Sequence, residues 1–145
     1  MLVDNLKTLQ GSSLSFYLKI ANFHWNIEGP DFPQYHAFLG DFYTDVFETV
    51  DRLAEYIRTL DSYAPGSLSK MSAYSIVGDY TGPQITSTEV FNILFADGTT
   101  LMNFYKDSFK IAELENEQGI GNFLAEQIDA LGKRLWMIRS ILKTA

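Results

Sequence analysis

A stripe of apolar residues in the second quarter of the chain constrains the fold most strongly. Its members recur at spacings of three and four residues: Phe38, Phe42, Val46, Val50, Leu53 and Ile57. This spacing puts them on one face of an α-helix and predicts a helix over 33–61, with Asp31 as its N-cap. A helix that long is stable in water when neighbouring helices cover its apolar face, which predicts a helical bundle.

Three further segments have the same periodicity, so we expect an all-α domain over residues 1–145. The first helix should span 3–27, and its expected apolar face consists of Leu6, Leu9, Leu14, Leu18 and Ala21. The third should begin after Ser87 or Thr88, either of which could cap it, and end near residue 112. A turn over 113–121 should precede the fourth helix.

The segment from 62 to 87 breaks the helical pattern with prolines, glycines and several serines and threonines. It predicts a long connection that carries one short helix near 68–74. A connection of this length can take the chain from one end of a bundle to the other, which defines a four-helix bundle with one crossover.

Composition narrows the possible functions. The chain has no cysteine, which excludes disulfides and thiol chemistry, and its net charge of −7 attracts cations and repels DNA phosphates. No apolar run approaches the ~20 residues that cross a membrane, and the first sixteen residues contain no secretory signal. We therefore expect a cytoplasmic protein without membrane contacts.

Four side chains form a candidate metal site. His24 and His36, the chain's two histidines, flank the short connection between the first two helices, so they should face each other. Asp51 and Glu55 stand four residues apart and share a helix face. Imidazole and carboxylate together are the usual ligands of non-haem iron.

These four residues cannot bind one metal within one straight-helixed subunit. His36 and Asp51 are fifteen residues apart on one helix, or roughly 22 Å at ~1.5 Å per residue, whereas metal ligands lie about 2 Å from the ion. They can meet when two subunits pack antiparallel about a twofold axis, which creates two equal sites. The Glu-x-x-His repeats of an intrachain di-iron bundle are absent from the sequence.

Other interpretations of the four residues remain open on the sequence alone. The histidines could be polar helix-end residues that are hydrogen-bonded to neighbours. Asp51 could form a salt bridge with Arg52 or Arg58 on a solvated face, and Glu55 could pair with Arg58. The same ligands also suit a protein that senses or buffers manganese or zinc.

The spacing of these residues resembles the Dps family, the miniferritins of bacteria within the ferritin-like superfamily. His24 is followed by Trp25, the second histidine comes twelve residues on, Asp51 fifteen further and Glu55 four after that. Three longer segments also resemble the family pattern: HWNIEGPDFPQYH, DRLAEYI and LWMIRSIL. The resemblance covers nearly the whole chain.

The resemblance implies a ferritin-like fold, a hollow dodecamer and an intersubunit ferroxidase centre. His24 and His36 would bind iron from one subunit, and Asp51 and Glu55 from its mate. Fe(II) would be oxidised there by hydrogen peroxide or oxygen and stored as ferric mineral, which protects against oxidative stress. Family members also bind and protect DNA, so a DNA-protecting cage with incidental metal binding is the alternative function.

The sequence departs from the family pattern at three places. Gly40 stands where many members have an acidic residue, which leaves open whether one or two irons bind. Asn122 aligns with an aspartate that lines a threefold pore, so Glu115, Glu117 or Glu126 would have to serve iron access. Many DNA-binding members have a lysine-rich N-terminal extension, whereas here the first turn holds only Lys7 as a basic residue, beside Asp4, so we do not expect DNA binding.

Overall fold

The fold is known from a computed structural model that describes residues 1–144. Five helices follow one another along the chain: α1 (Leu2–Asn26), α2 (Phe32–Thr59), α3 (Leu68–Tyr74), α4 (Ser87–Leu114) and α5 (Gln118–Leu142). The four long helices form the bundle, in which α1 packs against α2 and α4, and α4 against α5. The expected all-α class, the long crossover and its short helix are confirmed.

The predicted ends of the third and fourth long helices were wrong by a few residues. Thr86 caps α4 instead of Ser87 or Thr88, because Thr86 is extended and its hydroxyl accepts a hydrogen bond of 3.2 Å from the Glu89 N–H. The turn that we expected over 113–121 is only three residues long, because Asn116 adopts a φ of 59° and reverses the chain direction within one residue. Asp31 is the N-cap of α2, but its side chain makes no capping bond.

The core follows the predicted stripes on three of the long helices. On α1 the expected face was partly wrong. Leu6, Leu9 and Ala21 are buried as expected, but Leu18 is 50% exposed, and Phe16 and Ile20 are buried as well. The buried face of α1 is therefore rotated about the helix axis relative to the face that we expected.

Polar contacts hold the crossover between α2 and α4 against α1. The Lys19 ammonium donates to the Gly78 carbonyl at 2.8 Å and lies 2.7 Å from an Asp97 carboxylate oxygen. The Gln10 amide donates to the Pro65 carbonyl at 3.0 Å. These bonds come from buried side chains, so they fix the crossover along the length of α1. No helix in residues 1–144 is apolar over a stretch sufficient to span a bilayer.

Candidate metal centre

The connection between α1 and α2 brings the two histidines together. The helical run of α1 ends because Ile27 is extended, with a ψ of 145°. Gly29 has a φ of 129°, a conformation that favours glycine over other residues, so it allows the chain to turn back at once. Pro33 then fits the first turn of α2, where its missing N–H is not needed.

His24 and His36 form a closely packed pair, as the sequence predicted. Their rings stack with centroids 3.8 Å apart and planes 12° from parallel. The Nδ1 atom of His24 lies 2.6 Å from the His36 carbonyl oxygen, and the Nδ1 atom of His36 lies 2.7 Å from the His24 carbonyl oxygen. The pair is thus tied by two reciprocal bonds between side chain and backbone.

These two bonds decide which ring nitrogens can bind a metal. A carbonyl oxygen only accepts hydrogen bonds, so each Nδ1 must carry the hydrogen. In the neutral ring the Nε2 atom then keeps its lone pair. A metal-binding histidine usually has this arrangement, in which its other ring nitrogen donates to a carbonyl or carboxylate. Both imidazoles are therefore oriented as Nε2 ligands.

Aromatic neighbours hold the pair from both sides. The Tyr43 ring meets His24 edge-on, with centroids 5.2 Å apart. The Phe32 ring stacks on His36 with centroids 4.8 Å apart and planes at 23°. Phe32 was not among the site residues predicted from the sequence. The spacing of Phe32 four residues before His36 was the available signal, because such residues are neighbours on a helix.

Asp51 and Glu55 are exposed on α2, four residues apart. The ion pairs that they could have made with Arg52 or Arg58 are not found among residues 1–144. Arg52 lies 3.4 Å from Glu126, and Arg58 donates to the Ser62 carbonyl at 3.0 Å. Within residues 1–144, the two carboxylates therefore make no salt bridge with these arginines.

His36, which stacks on His24 of α1, lies toward one end of a face of α2, and the two carboxylates lie toward the other end. Steps of three or four residues connect the members of this face: His36, Gly40, Tyr43, Phe47, Asp51 and Glu55. Within residues 1–144, no three His, Asp or Glu side chains gather into a group that could hold a metal ion. Within one chain, the histidine pair and the carboxylate pair are thus two separate clusters.

The remaining candidates have other surroundings. Glu126 pairs with Arg52, and Glu115 accepts a hydrogen bond of 3.2 Å from the Leu2 N–H. Glu117 and Asn122 line a surface hollow at the turn between α4 and α5. A role for these residues in iron access stays a prediction. Trp25, beside His24 in the sequence, is 59% exposed.

Known proteins resemble the chain over almost its whole length. A family model described as a ferritin-like domain matches residues 3–145. Antigen TpF1 of Treponema pallidum is 28% identical over 127 residues, which cover 88% of this chain and 72% of the antigen. The DNA protection during starvation protein of Helicobacter pylori is 28% identical over 137 residues, covering 94% of this chain and 95% of that protein.

Solved structures agree with this result. The crystal structure of TpF1 has a TM-score of 0.95 at 26% identity, covering 99% of this chain and 92% of that one. The Dps protein from Vibrio cholerae O1 has a TM-score of 0.92 at 27% identity, covering 98% and 89%. It is described as a member of a broad superfamily of ferritin-like diiron-carboxylate proteins.

The chain therefore belongs to the ferritin-like family. Within that family its relatives include proteins named for Dps or for DNA protection during starvation, so the resemblance to Dps proteins that the sequence indicated is confirmed.

Proposed function

We propose that this chain is a ferroxidase and iron-storage subunit that oxidises Fe(II) at a centre shared by two subunits. The observation that carries the proposal is the arrangement of one face of α2. A pair of imidazoles oriented for metal binding lies near one end, and two carboxylates without local partners lie toward the other. The family relationship supports iron as the metal, since the Vibrio relative is described among diiron-carboxylate proteins.

A twofold contact between two α2 helices would complete the ligand set. The point halfway between His36 and the Asp51–Glu55 pair lies near Thr44 and Asp45. If an antiparallel copy of α2 crosses there, each histidine pair faces the carboxylates of the other chain, and the two sites are equal. The surface near this point includes an exposed aromatic side chain, because Phe47, three residues after Thr44 on α2, is 51% exposed.

The stacking of the imidazoles favours two iron positions in each centre. A metal binds Nε2 close to the plane of the ring, about 2 Å from the nitrogen. Two nearly parallel rings 3.8 Å apart do not share a point that lies in both planes. Each histidine would therefore hold its own iron, with the partner's Asp51 and Glu55 supplying carboxylate oxygens to both. Gly40 supplies no ligand, so the two positions would differ in affinity.

Two Fe(II) ions bound together give the reaction its electron balance. They supply the two electrons that, with two protons, reduce one hydrogen peroxide molecule to two water molecules. No one-electron product such as the hydroxyl radical is then released. The ferric ions would move into the cavity of a dodecameric cage and be stored there as mineral. The cell would thus be protected from both Fe(II) and hydrogen peroxide. Oxygen could replace peroxide as the oxidant, and a cytoplasmic location fits this role.

The proposal is tested with the double variant His24→Ala/His36→Ala. The control variant is Glu48→Gln, which removes a different exposed carboxylate on α2. Fe(II) is added without oxygen, then peroxide or oxygen, and ferric product is followed by its absorbance while gel filtration reports the particle size. We expect the histidine variant to keep the size of the native particle and to lose rapid oxidation, and the control to keep both. Rapid oxidation by the histidine variant would contradict the proposal, whereas a native particle that takes up no iron would favour the DNA-protecting cage with incidental metal binding.

A further inference from the structure

Gly40 occupies a position where glycine has no advantage for the helix itself. It lies inside α2, which continues for many residues on both sides. Glycine is among the poorest helix formers, so a glycine within a long helix calls for a reason in its surroundings.

The His24 imidazole supplies that reason. A Cβ atom built on Gly40 would lie 2.9 Å from Cε1 and 3.3 Å from Nδ1 of His24. The first distance is shorter than real Cβ contacts, so either the ring or the α2 backbone would have to move. The ring thus uses the space that any side chain at position 40 would need.

The ring has little freedom to move away while keeping its present contacts. One face stacks on His36 at 3.8 Å, and the Tyr43 ring touches it edge-on at 5.2 Å. Its Nδ1 is bonded to the His36 carbonyl at 2.6 Å. If the His24 ring moved to make room for even a methyl group, that hydrogen bond would lengthen, the two stacked rings would separate, or both.

We propose that Gly40 is a positioning residue of the metal centre, whose missing side chain lets His24 stack on His36 with its Nε2 oriented for a metal. The steric part of this proposal, that the His24 ring needs the space beside Gly40, concerns the metal-free chain alone. The positioning part, that this fit supports metal binding, rests on the proposed function. Gly40→Ala displaces the His24 ring and lowers the affinity of the centre, although alanine is the better helix former.

A double-mutant cycle on the metal-free protein tests the steric part. Gly40→Ala is made in the native chain and in His24→Ala, and the melting temperature is measured at one protein concentration. Without the ring, Gly40→Ala should raise the melting temperature by roughly 2–4 °C through helix propensity. In the native chain this gain should vanish or become a loss. Equal shifts in both backgrounds would overturn the proposal, because contacting residues must be coupled.

The cycle still tests the proposal if the Gly40→Ala variant does not fold. Recovery of a folded particle in Gly40→Ala/His24→Ala would then support the clash, and failure of that double variant would overturn it.

Zn(II) titration calorimetry tests the positioning part with a metal that undergoes no redox reaction. The control is Gly132→Ala in α5, where the new Cβ would meet the Met102 methyl at an ordinary 3.6 Å. We expect Gly40→Ala to weaken binding at least tenfold and the control to stay within twofold of the native protein. Native affinity in Gly40→Ala would overturn the positioning role. If the native protein binds neither Zn(II) nor Fe(II), the proposed function fails, while the melting cycle still decides the steric part.

Discussion

Removing the Lys19 ammonium should destabilise the bundle strongly, because it leaves a carboxylate without its partner. The Lys19 side chain is 8% exposed and the Asp97 side chain 20%, and their charged atoms lie 2.7 Å apart. At this distance the ammonium and the carboxylate attract each other strongly, because both side chains are largely shielded from water. Lys19 also donates to the Gly78 carbonyl, which ties the crossover to α1.

The size of the effect follows from how buried the pair is. Losing one member of a fully buried pair costs about 3–5 kcal/mol, because the remaining charge stays desolvated. Water reaches part of Asp97, so for Lys19→Met we expect about 2–4 kcal/mol. For a chain of this length, that corresponds to a fall in melting temperature of roughly 5–15 °C.

Differential scanning calorimetry of Lys19→Met, Asp97→Leu and the double variant at one protein concentration measures the coupling. The double variant should recover much of the loss, since no charge is then left buried alone. A loss below about 1 kcal/mol in Lys19→Met, or a double variant that loses the sum of the two single losses, would refute this reasoning.

Three further outcomes are expected. Burial raises the pKa of Tyr105 above its ordinary value of 10.0, so above about pH 10 the unfolded chain loses this proton first and the folded state loses stability. Tyr105→Phe should remove this loss of folding free energy, which amounts to at most ~1.4 kcal/mol per pH unit. If the melting temperature of the variant falls with alkaline pH as steeply as that of the native protein, the prediction is wrong. Gly11→Ala should lower the melting temperature by several degrees, because the new Cβ would overlap the Met71 carbonyl oxygen; native stability in circular dichroism melts would show that α1 and α3 can separate. With a net charge of −7, the assembled protein should leave DNA unshifted in a gel at low salt, and a retarded band that salt abolishes would contradict this.

The sequence predicted those features that depend on spacing along the chain. The repeat from Phe38 to Ile57 predicted α2, and the twelve residues between His24 and His36 predicted that the imidazoles would meet across a short turn. The separation of His36 from Asp51 also indicated two half-sites, because helix rise is nearly constant.

Features that depend on a distant partner could not be predicted. Asp97 had no explanation in the sequence, since its partner Lys19 lies on another helix. Gly40 looked like a lost ligand, whereas the structure places the His24 ring where a Cβ atom at this position would lie. Leu18 fitted a buried stripe, but the rotation of α1 in the bundle leaves it half exposed. Apolar spacing alone does not define that rotation when apolar residues surround much of a helix.

Subunit complementation is the most direct test of a centre shared by two chains. One chain carries His24→Ala/His36→Ala and the other Asp51→Ala/Glu55→Ala, and the two are produced separately and together. Each variant alone should lack rapid Fe(II) oxidation. In randomly mixed twofold pairs, half of the pairs contain both variants and each has one complete site of its two, so about a quarter of the native sites should return. Mixed particles that contain both chains but recover no oxidation would contradict the shared centre.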